Sequence, residues 1–402
     1  MAIKVDVVLY GASGFVGRQT VAYFAQHGHD VRWAVAGRHE AKLREVLKEA
    51  GAGDVAVIQA DAHDRAALGA LAAQTRVVVS TAGPYATVGS ELVAACVEHG
   101  THYVDITGET PWVRDLIDRH HEKANTQGTR IVPCCGFDSV PSDLGAWLVV
   151  QAMRQRHGED CVDIKASHAM KGGLNGGTVA SMLNMLDGGE DKRFNQPFLL
   201  NPAGTAPTDQ STHADPFAPH HDADFDAWLG PFVMGPINTR VVRRSAALLG
   251  YGAGFHYQEF MRFGRGAAAA VAAAGMSAAT LTGQGMVKMS PMRKLITSVV
   301  SSVPIGPKPG EGPSVATMDG GSFRCELIGK SAHGHVVRAT VADQGDPGNR
   351  ATTKFVCEAA LALALNEREL PKAAGVITPA VAFGEVLATR LRAAGMTLDV
   401  AA

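Results

Sequence analysis

An excess of charge of either sign is missing from this 402-residue sequence: 37 Lys and Arg stand against 39 Asp and Glu, a net charge of −2. That balance excludes an electrostatic binder of nucleic acid, and 46% hydrophobic against 19% charged residues excludes a disordered chain. The expected partner is a small molecule. Cysteine is scarce, too. Six in a chain of this length, two of them adjacent at Cys134-Cys135, form neither a disulfide framework nor a paired CxxC metal pattern, which suits a reducing compartment. A long, strongly apolar run is also absent. Arg262 to Met286 is dominated by Ala and Gly and is too weakly hydrophobic for a membrane span, so it reads as a closely packed or ligand-lining helix, with peripheral membrane contact left open. The first strand begins within a few residues of Met1 and leaves no room for a signal peptide, so a cytoplasmic location is expected. His213, Asp215, His220, His221 and Asp222 have the composition of metal ligands but no zinc-site spacing, and no metal is expected. There is no internal repeat.

What is present begins at once. The apolar run Ile3 to Tyr10 flows into Gly11-Ala12-Ser13-Gly14-Phe15-Val16-Gly17, a strand entering a glycine-rich turn of spacing GxxGxxG, followed by a helix from Phe15 to His27 and a second strand from Val31 to Ala36. This βαβ context gives the three glycines their meaning. Gly11 and Gly14 keep Cβ atoms away from a pyrophosphate held at the helix N-terminus, and Gly17 lets helix and strand approach closely. The second strand ends in Gly37-Arg38, where an NAD-preferring site places an acid for the ribose 2′-hydroxyl. A guanidinium there can grip a 2′-phosphate, so the expected cofactor is NADPH rather than NADH.

A chain this long exceeds the size at which one core keeps growing, so two domains are expected. Further strands follow at Val55 to Gln59, Val77 to Ser80, His102 to Ile106 and Arg130 to Pro133, separated by helices, which predicts an α/β fold built on a Rossmann-type, doubly wound parallel sheet. Ligands of such sheets lie beyond the carboxyl ends of the strands. After the third strand, Asp61 either meets the adenine edge or caps the next helix. After the fourth, Thr81-Ala82-Gly83-Pro84-Tyr85 fixes a tight course near the nicotinamide ribose, with Tyr85 either poised over the reacting end or packed at a domain boundary. The loops after the fifth and sixth strands bring Asp105 and Asp138, each a candidate proton donor if burial raises its pKa and otherwise a structural hydrogen-bonding group. Past Arg156 the pattern changes. Cys161 to Met170 reads as a half-buried strand, Gly172 to Gly177 as a bend, Thr178 to Leu186 and Pro291 to Val303 as helices, Pro304 to Pro313 as a rigid loop, and Phe323 to Ala342 as a hairpin around His333-Gly334. Asn195 to Asp224 is long for a connector and reads as a lid, an oligomer arm or a mobile surface loop. Asn349 to Leu365 and Val381 to Ala394 close the list as helices.

The segments GASGFVG, AGR, STAGPY, YVDITGE and CGFDSVPSDLG, with the later EGP, GSFRCELIG, VADQGDPG and GVITPA, resemble the saccharopine dehydrogenase-like oxidoreductases, and most closely the bacterial trans-acting enoyl reductase branch. The resemblance implies a split nucleotide domain (residues 1–145 completed by 345–402), a second, central mixed α/β domain (residues 146–344) and a nicotinamide cofactor. It implies that Gly11, Ser13, Gly14, Phe15, Val16, Gly17, Gly37, Arg38, Thr81, Ala82, Gly83, Pro84 and Tyr85 line that cofactor. Three functions follow as alternatives. One is NADPH-dependent reduction of an enoyl, lipid-like acyl substrate. The second is C–N oxidoreduction of an amino diacid, for which Arg240, Arg243 and Arg244 are candidate anion clamps. The third is a non-catalytic NADPH-binding module. The abundant Met, Ala, Leu and Phe of the central region favour the apolar substrate. Contact with an acyl carrier and a homodimer stay open.

Overall fold

The computed structural model describes residues 4–173, 192–252, 254–288 and 310–401; the expected helices Thr178 to Leu186 and Pro291 to Val303, the bend beyond Gly173 and the first part of the Pro304 to Pro313 loop lie outside them. The first sheet is wholly parallel, in the order β13-β6-β5-β4-β1-β2-β3. Its strands are β1 (Val5–Tyr10), β2 (Trp33–Gly37), β3 (Ala56–Gln59), β4 (Thr75–Ser80), β5 (His102–Asp105), β6 (Arg130–Val132) and β13 (Gly375–Val376). Val7, Val8, Leu9, Val77, Val78 and Val79 are all buried, as strands covered on both faces require. Helix α1 (Phe15–His27) follows β1, and the order reverses between β1 and β4, which creates the switch-point crevice.

The second sheet is mixed, in the order β14-β12-β11-β7-β10-β9-β8: β7 (Cys161–Lys171), β8 (His220–Asp222), β9 (Ala227–Pro231), β10 (His256–Gly264), β11 (Ser322–Ser331), β12 (Val336–Gln344) and β14 (Thr397–Val400). Among the described residues, only β7 and β10 run parallel in it. Helix α7 (Val140–His157) leaves the ligand edge of the first sheet and lies on the second. Gly145 makes this possible, since a Cβ there would stand 2.6 Å from Leu327. Because α7 and the helix Thr352–Leu365 are both enclosed, one apolar core runs from β1 to β12 without a break.

The chain's end divides between the sheets. Helix Thr352–Leu365 packs on β1, β4 and β5 and β13 extends the first sheet, but β14 pairs with β12 in the second. The expected helix Val381 to Ala394 is broken at Gly384, whose φ of +50° ends one helix at Phe383 and starts another at Glu385. A larger departure concerns the long polar connector. Helix Gly235–Leu249 carries Arg240, Arg243 and Arg244, each at most 2% exposed, and these hold the connector to the body. Arg243 donates to Pro197 O at 2.9 Å, His213 O at 2.9 Å and Tyr257 O at 3.1 Å. Arg240 pairs with Asp215 at 2.6 Å, and Arg244 donates to Leu200 O and Val376 O. Burial pulls Arg243 and Arg244 down to about 10, which leaves both charged at neutral pH. They are structural ties and not the anion clamps that three clustered arginines suggest. Arg243→Met strands buried carbonyls, so urea unfolding is expected to show a loss of roughly 3–5 kcal/mol, with early proteolytic cutting between residues 195 and 224.

Candidate active site at the switch-point crevice

The glycine-rich turn is shaped by backbone contact. Gly11 sits at φ +82°, and a Cβ on it would stand 2.8 Å from Ala82 N; one on Gly17 would stand 2.2 Å from Gly11 O. Gly11 N donates to Ala36 O at 3.0 Å, so the turn is tied to β2 as well. Gly14 is the N-cap of α1 in extended conformation, with no capping side chain and no acid in the first turn. That N-terminus is bare, and its N–H groups and positive dipole end suit a pyrophosphate. Ser13 O accepts from Arg18 Nε at 3.3 Å, Val16 is buried under the turn, and Phe15 packs on Gly312, where a Cβ would stand 2.4 Å from the ring.

After β2 and β3, a cleft of about 440 Å³ is lined by Arg38, His39, Gln59, Ala60, Asp61, Asp64 and Ala67. The turn after β2 is fixed by Gln59 Nε2 on Arg38 O at 3.1 Å and Ala60 N on Gly37 O at 3.0 Å. Arg38 is exposed at its rim. The cleft and a rim guanidinium fit a phosphorylated adenosine. Asp61 accepts from His63 N at 2.9 Å in a local turn, and it is Asp64, bonded to Ala67 N at 3.0 Å, that caps the following helix.

After β4, Thr81 N donates to Tyr10 O at 3.0 Å, and the loop continues through Ala82, Gly83 and Pro84 into the short helix Tyr85–Val88. Glu109 holds that helix start, accepting from Tyr85 N at 2.9 Å and Ala86 N at 2.8 Å. Tyr85 is turned inward: its hydroxyl donates to Ser80 O at 3.0 Å and its ring lies 5.6 Å from that of Trp112. Burial and the nearby Asp105 push the phenol well above its usual range. The expected position over the reacting end is therefore corrected, because the hydroxyl faces the core of the first sheet. Residue order alone gives no signal for Glu109 as the anchor.

Asp105 and Asp138 lie on adjacent loops. Asp105 is fully buried and accepts from Thr107 N and Cys134 N, both at 3.0 Å; burial pushes its carboxyl up to about 7 against those hydrogen bonds. Asp138 is raised well above the carboxylate range by burial and by Asp105, and its enclosed Oδ2 has no hydrogen-bond partner among the described residues. Cys134 and Cys135 are buried, and their thiols are pushed well up by burial and by Asp105, so they are core residues.

Behind these loops stands a polar cluster with no local sequence signature. Ser142 Oγ and Tyr257 OH each donate to Glu259 Oε2 at 2.8 Å, Asn238 Nδ2 donates to Glu259 Oε1 at 2.8 Å, and His168 Nε2 lies 3.5 Å from Glu259 Oε2. Its members come from α7, β7, β10 and the helix Gly235–Leu249, so only the fold assembles it. The connector's histidines are dispersed: His213 packs against Phe198 and His256, Asp215 pairs with Arg240 and Asp222 with Lys165. Among the described residues no three His, Cys, Asp or Glu are placed to hold a metal ion, and no helix is long and apolar enough to cross a membrane.

Asp143, next to this cluster, accepts from Ser245 Oγ and from Ala380 N at 2.8 Å and, through burial, is also pushed up to about 7. A carboxyl whose folded pKa exceeds its unfolded value keeps its proton longer in the native state. Stability is therefore greatest below the unfolded pKa near 4 and falls as pH rises towards about 7, by at most about 1.4 kcal/mol per pH unit for each group. Urea midpoints between pH 5 and 7 are expected to show a shallower fall in Asp143→Asn than in the unaltered chain; equal slopes would contradict the assignment.

Residues 7–132 match the family described as Saccharopine dehydrogenase NADP binding domain. A Mycobacterium tuberculosis (strain ATCC 25618 / H37Rv) protein, provisionally named a trans-acting enoyl reductase, is 40% identical over 418 aligned residues, covering 98% of this chain and 97% of its own length. The proteins named trans-acting enoyl reductase in Mycobacterium ulcerans (strain Agy99) and Mycobacterium leprae (strain TN) are 36% and 37% identical, with the same 98% and 97% coverage. The solved apo saccharopine dehydrogenase (L-Glu forming) of Saccharomyces cerevisiae has the same fold, with a TM-score of 0.54 at 15% identity over 99% of both chains. A bare helix N-terminus, a turn whose glycines leave no room for a Cβ and an exposed guanidinium at the cleft after β2 thus meet a family match over the same residues. The chain belongs to the saccharopine dehydrogenase-like oxidoreductases, in their trans-acting enoyl reductase branch, and is an NADP-binding, NAD(P)-dependent oxidoreductase.

Proposed function

We propose that this oxidoreductase reduces the conjugated double bond of an apolar acyl thioester, with NADPH as reductant and Asp138 as proton donor. The carrying observation is that Arg240, Arg243 and Arg244, the cations an amino diacid would call for, are all engaged with backbone carbonyls or Asp215. The names of the mycobacterial relatives support the same reading. When bound, NADPH supplies a hydride. The chain's own part is to exclude water and to deliver a proton. Asp138 suits the second task because burial and Asp105 raise its carboxyl well above the usual carboxylate range, and because Oδ2 has no hydrogen-bond partner among the described residues. Asp105 is the positioning partner, since it fixes the turn through Cys134 N. The relatives' description as trans-acting suits a cytoplasmic enzyme that receives its acyl group from a separate synthase or carrier.

NADPH oxidation measured on an enoyl thioester, an imine and an amino diacid is expected to show turnover on the first alone. Asp138→Asn should then lower kcat by roughly 10²–10⁴-fold with NADPH affinity retained, while Tyr85→Phe changes kcat by no more than about threefold. Turnover confined to the amino diacid would overturn the substrate assignment, and full activity in Asp138→Asn would overturn the donor. NADPH binding without turnover on any of the three would favour a non-catalytic module.

A further inference from the structure

The face of the second sheet that looks towards the first carries an unusual sequence of side chains. On β7, His168 and Met170 share this face; opposite them in register stand Cys325 and Phe323 on β11, and Met261 on β10. Phe323 touches the first domain through Phe137, at 5.0 Å between rings, and Phe355, at 5.9 Å. The far end of β7 meets the cofactor turn indirectly, because Gly173 is in contact range of Pro313 and Gly312 packs on Phe15. Met170, Met261, Phe323 and Phe137 thus form an apolar row beside His168, from the exposed end of β7 at Met170 to the Phe137 ring 6.4 Å from the imidazole.

His168 is 2% exposed, and its ring lies flat on Phe232 at 4.2 Å. Nε2 faces Ser142 Oγ at 3.5 Å, Glu259 Oε2 at 3.5 Å and Cys325 Sγ at 3.6 Å. Nδ1 is buried and has no partner among the described residues. Burial pulls the imidazole down, but Cys325 and Glu259 carry it up to about 10; with Glu259 Oε2 beside Nε2, the charged ring, in which Nδ1 also carries a proton, is the favoured form. A buried N–H with no acceptor is costly unless something arrives to accept from it.

We infer that His168 Nδ1 is the donor that receives the carbonyl oxygen of the acyl thioester and holds the negative charge that develops there during reduction. This rests on the enoyl reading above. The hydride forms a C–H bond at the carbon β to the carbonyl, and the alkene π pair moves so that charge accumulates on the carbonyl oxygen. Asp138 then gives its proton to the α carbon, forming the second C–H bond, and regains a proton from water. The nicotinamide is oxidised and the alkene reduced. Glu259 is a positioning residue, holding the imidazole from the Nε2 side while Ser142, Asn238 and Tyr257 hold Glu259. Because the ring is covered, the carbonyl reaches Nδ1 only when a covering side chain such as Phe137 turns aside.

The test uses the full chain loaded with NADP⁺ and butyryl-pantetheine, a saturated thioester that cannot be reduced. In ¹⁵N-histidine NMR, the His168 Nδ1 signal, assigned by its loss in His168→Gln, is expected to move on thioester addition, and His168→Gln to bind the thioester at least fivefold more weakly. With crotonyl-pantetheine, His168→Gln should lower kcat by roughly 10²–10³-fold while NADPH affinity stays within twofold. Should Glu259, left without a counter-charge, prevent folding, the double variant His168→Gln, Glu259→Gln removes both charges and is expected to show the same loss. An unmoved Nδ1 signal, or kcat within threefold of the unaltered chain, would overturn the inference. If the unaltered chain reduces no enoyl thioester, the functional reading fails instead, so the two failures are distinguishable.

Discussion

The contact between two stretches of bare backbone, at Gly11 against Ala82 and Gly17 against Gly11, is the constraint on which the rest of the molecule depends. With less than 3 Å available for any added carbon, the turn after β1 and the loop after β4 lie against each other at the point where strand order reverses. That contact sets α1 with its uncapped N-terminus pointing into the crevice. A methyl group at either glycine would push helix or loop away, and the crevice would lose its anion-binding end before its chemistry came into play.

Around that point, buried charge organises what apolar packing leaves loose. Glu109 pins the start of the helix after the β4 loop, and Asp105 pins the turn after β6 through Cys134 N. The three arginines of helix Gly235–Leu249 perform the same task on a larger scale by holding an otherwise irregular connector against the body. In each case a charged group satisfies several backbone atoms that would otherwise be buried unpaired, and those hydrogen bonds offset part of the cost of burying the charge. Rigidity near the crevice thus comes from carboxylates and guanidiniums, and the enclosing walls come from Phe, Met and Val.

The parallel sheet was legible because its strands are continuous Val, Ile and Leu runs with glycine stops; α1 spans Phe15–His27 as its pattern predicts. Beyond residue 170 legibility declines, and for identifiable reasons. Helix Gly235–Leu249 hides its core face behind Arg240, Arg243 and Arg244, which a pattern reader assigns to solvent. Strand β14 is four residues long, too short to declare its sheet. Around the crevice, the close backbone approaches at Gly11 and Gly17 follow from their spacing and the exposed place of Arg38 from the end of β2, whereas the direction of the Tyr85 hydroxyl depends on Glu109 holding its backbone from a different loop. The His168 and Glu259 pair has no sequence trace, since its members meet only when β7 and β10 lie side by side.

The central claim is that uncapped backbone receives a diphosphate while Arg38 receives the adenosine 2′-phosphate. Calorimetric titration of the intact chain with NADPH and NADH, before and after Arg38→Ala, tests it most directly. The account predicts saturable NADPH binding, weaker NADH binding, and a loss of roughly 10–100-fold on Arg38→Ala that falls on NADPH alone. No heat of binding from folded protein with either nucleotide, or an equal loss for both, would contradict it.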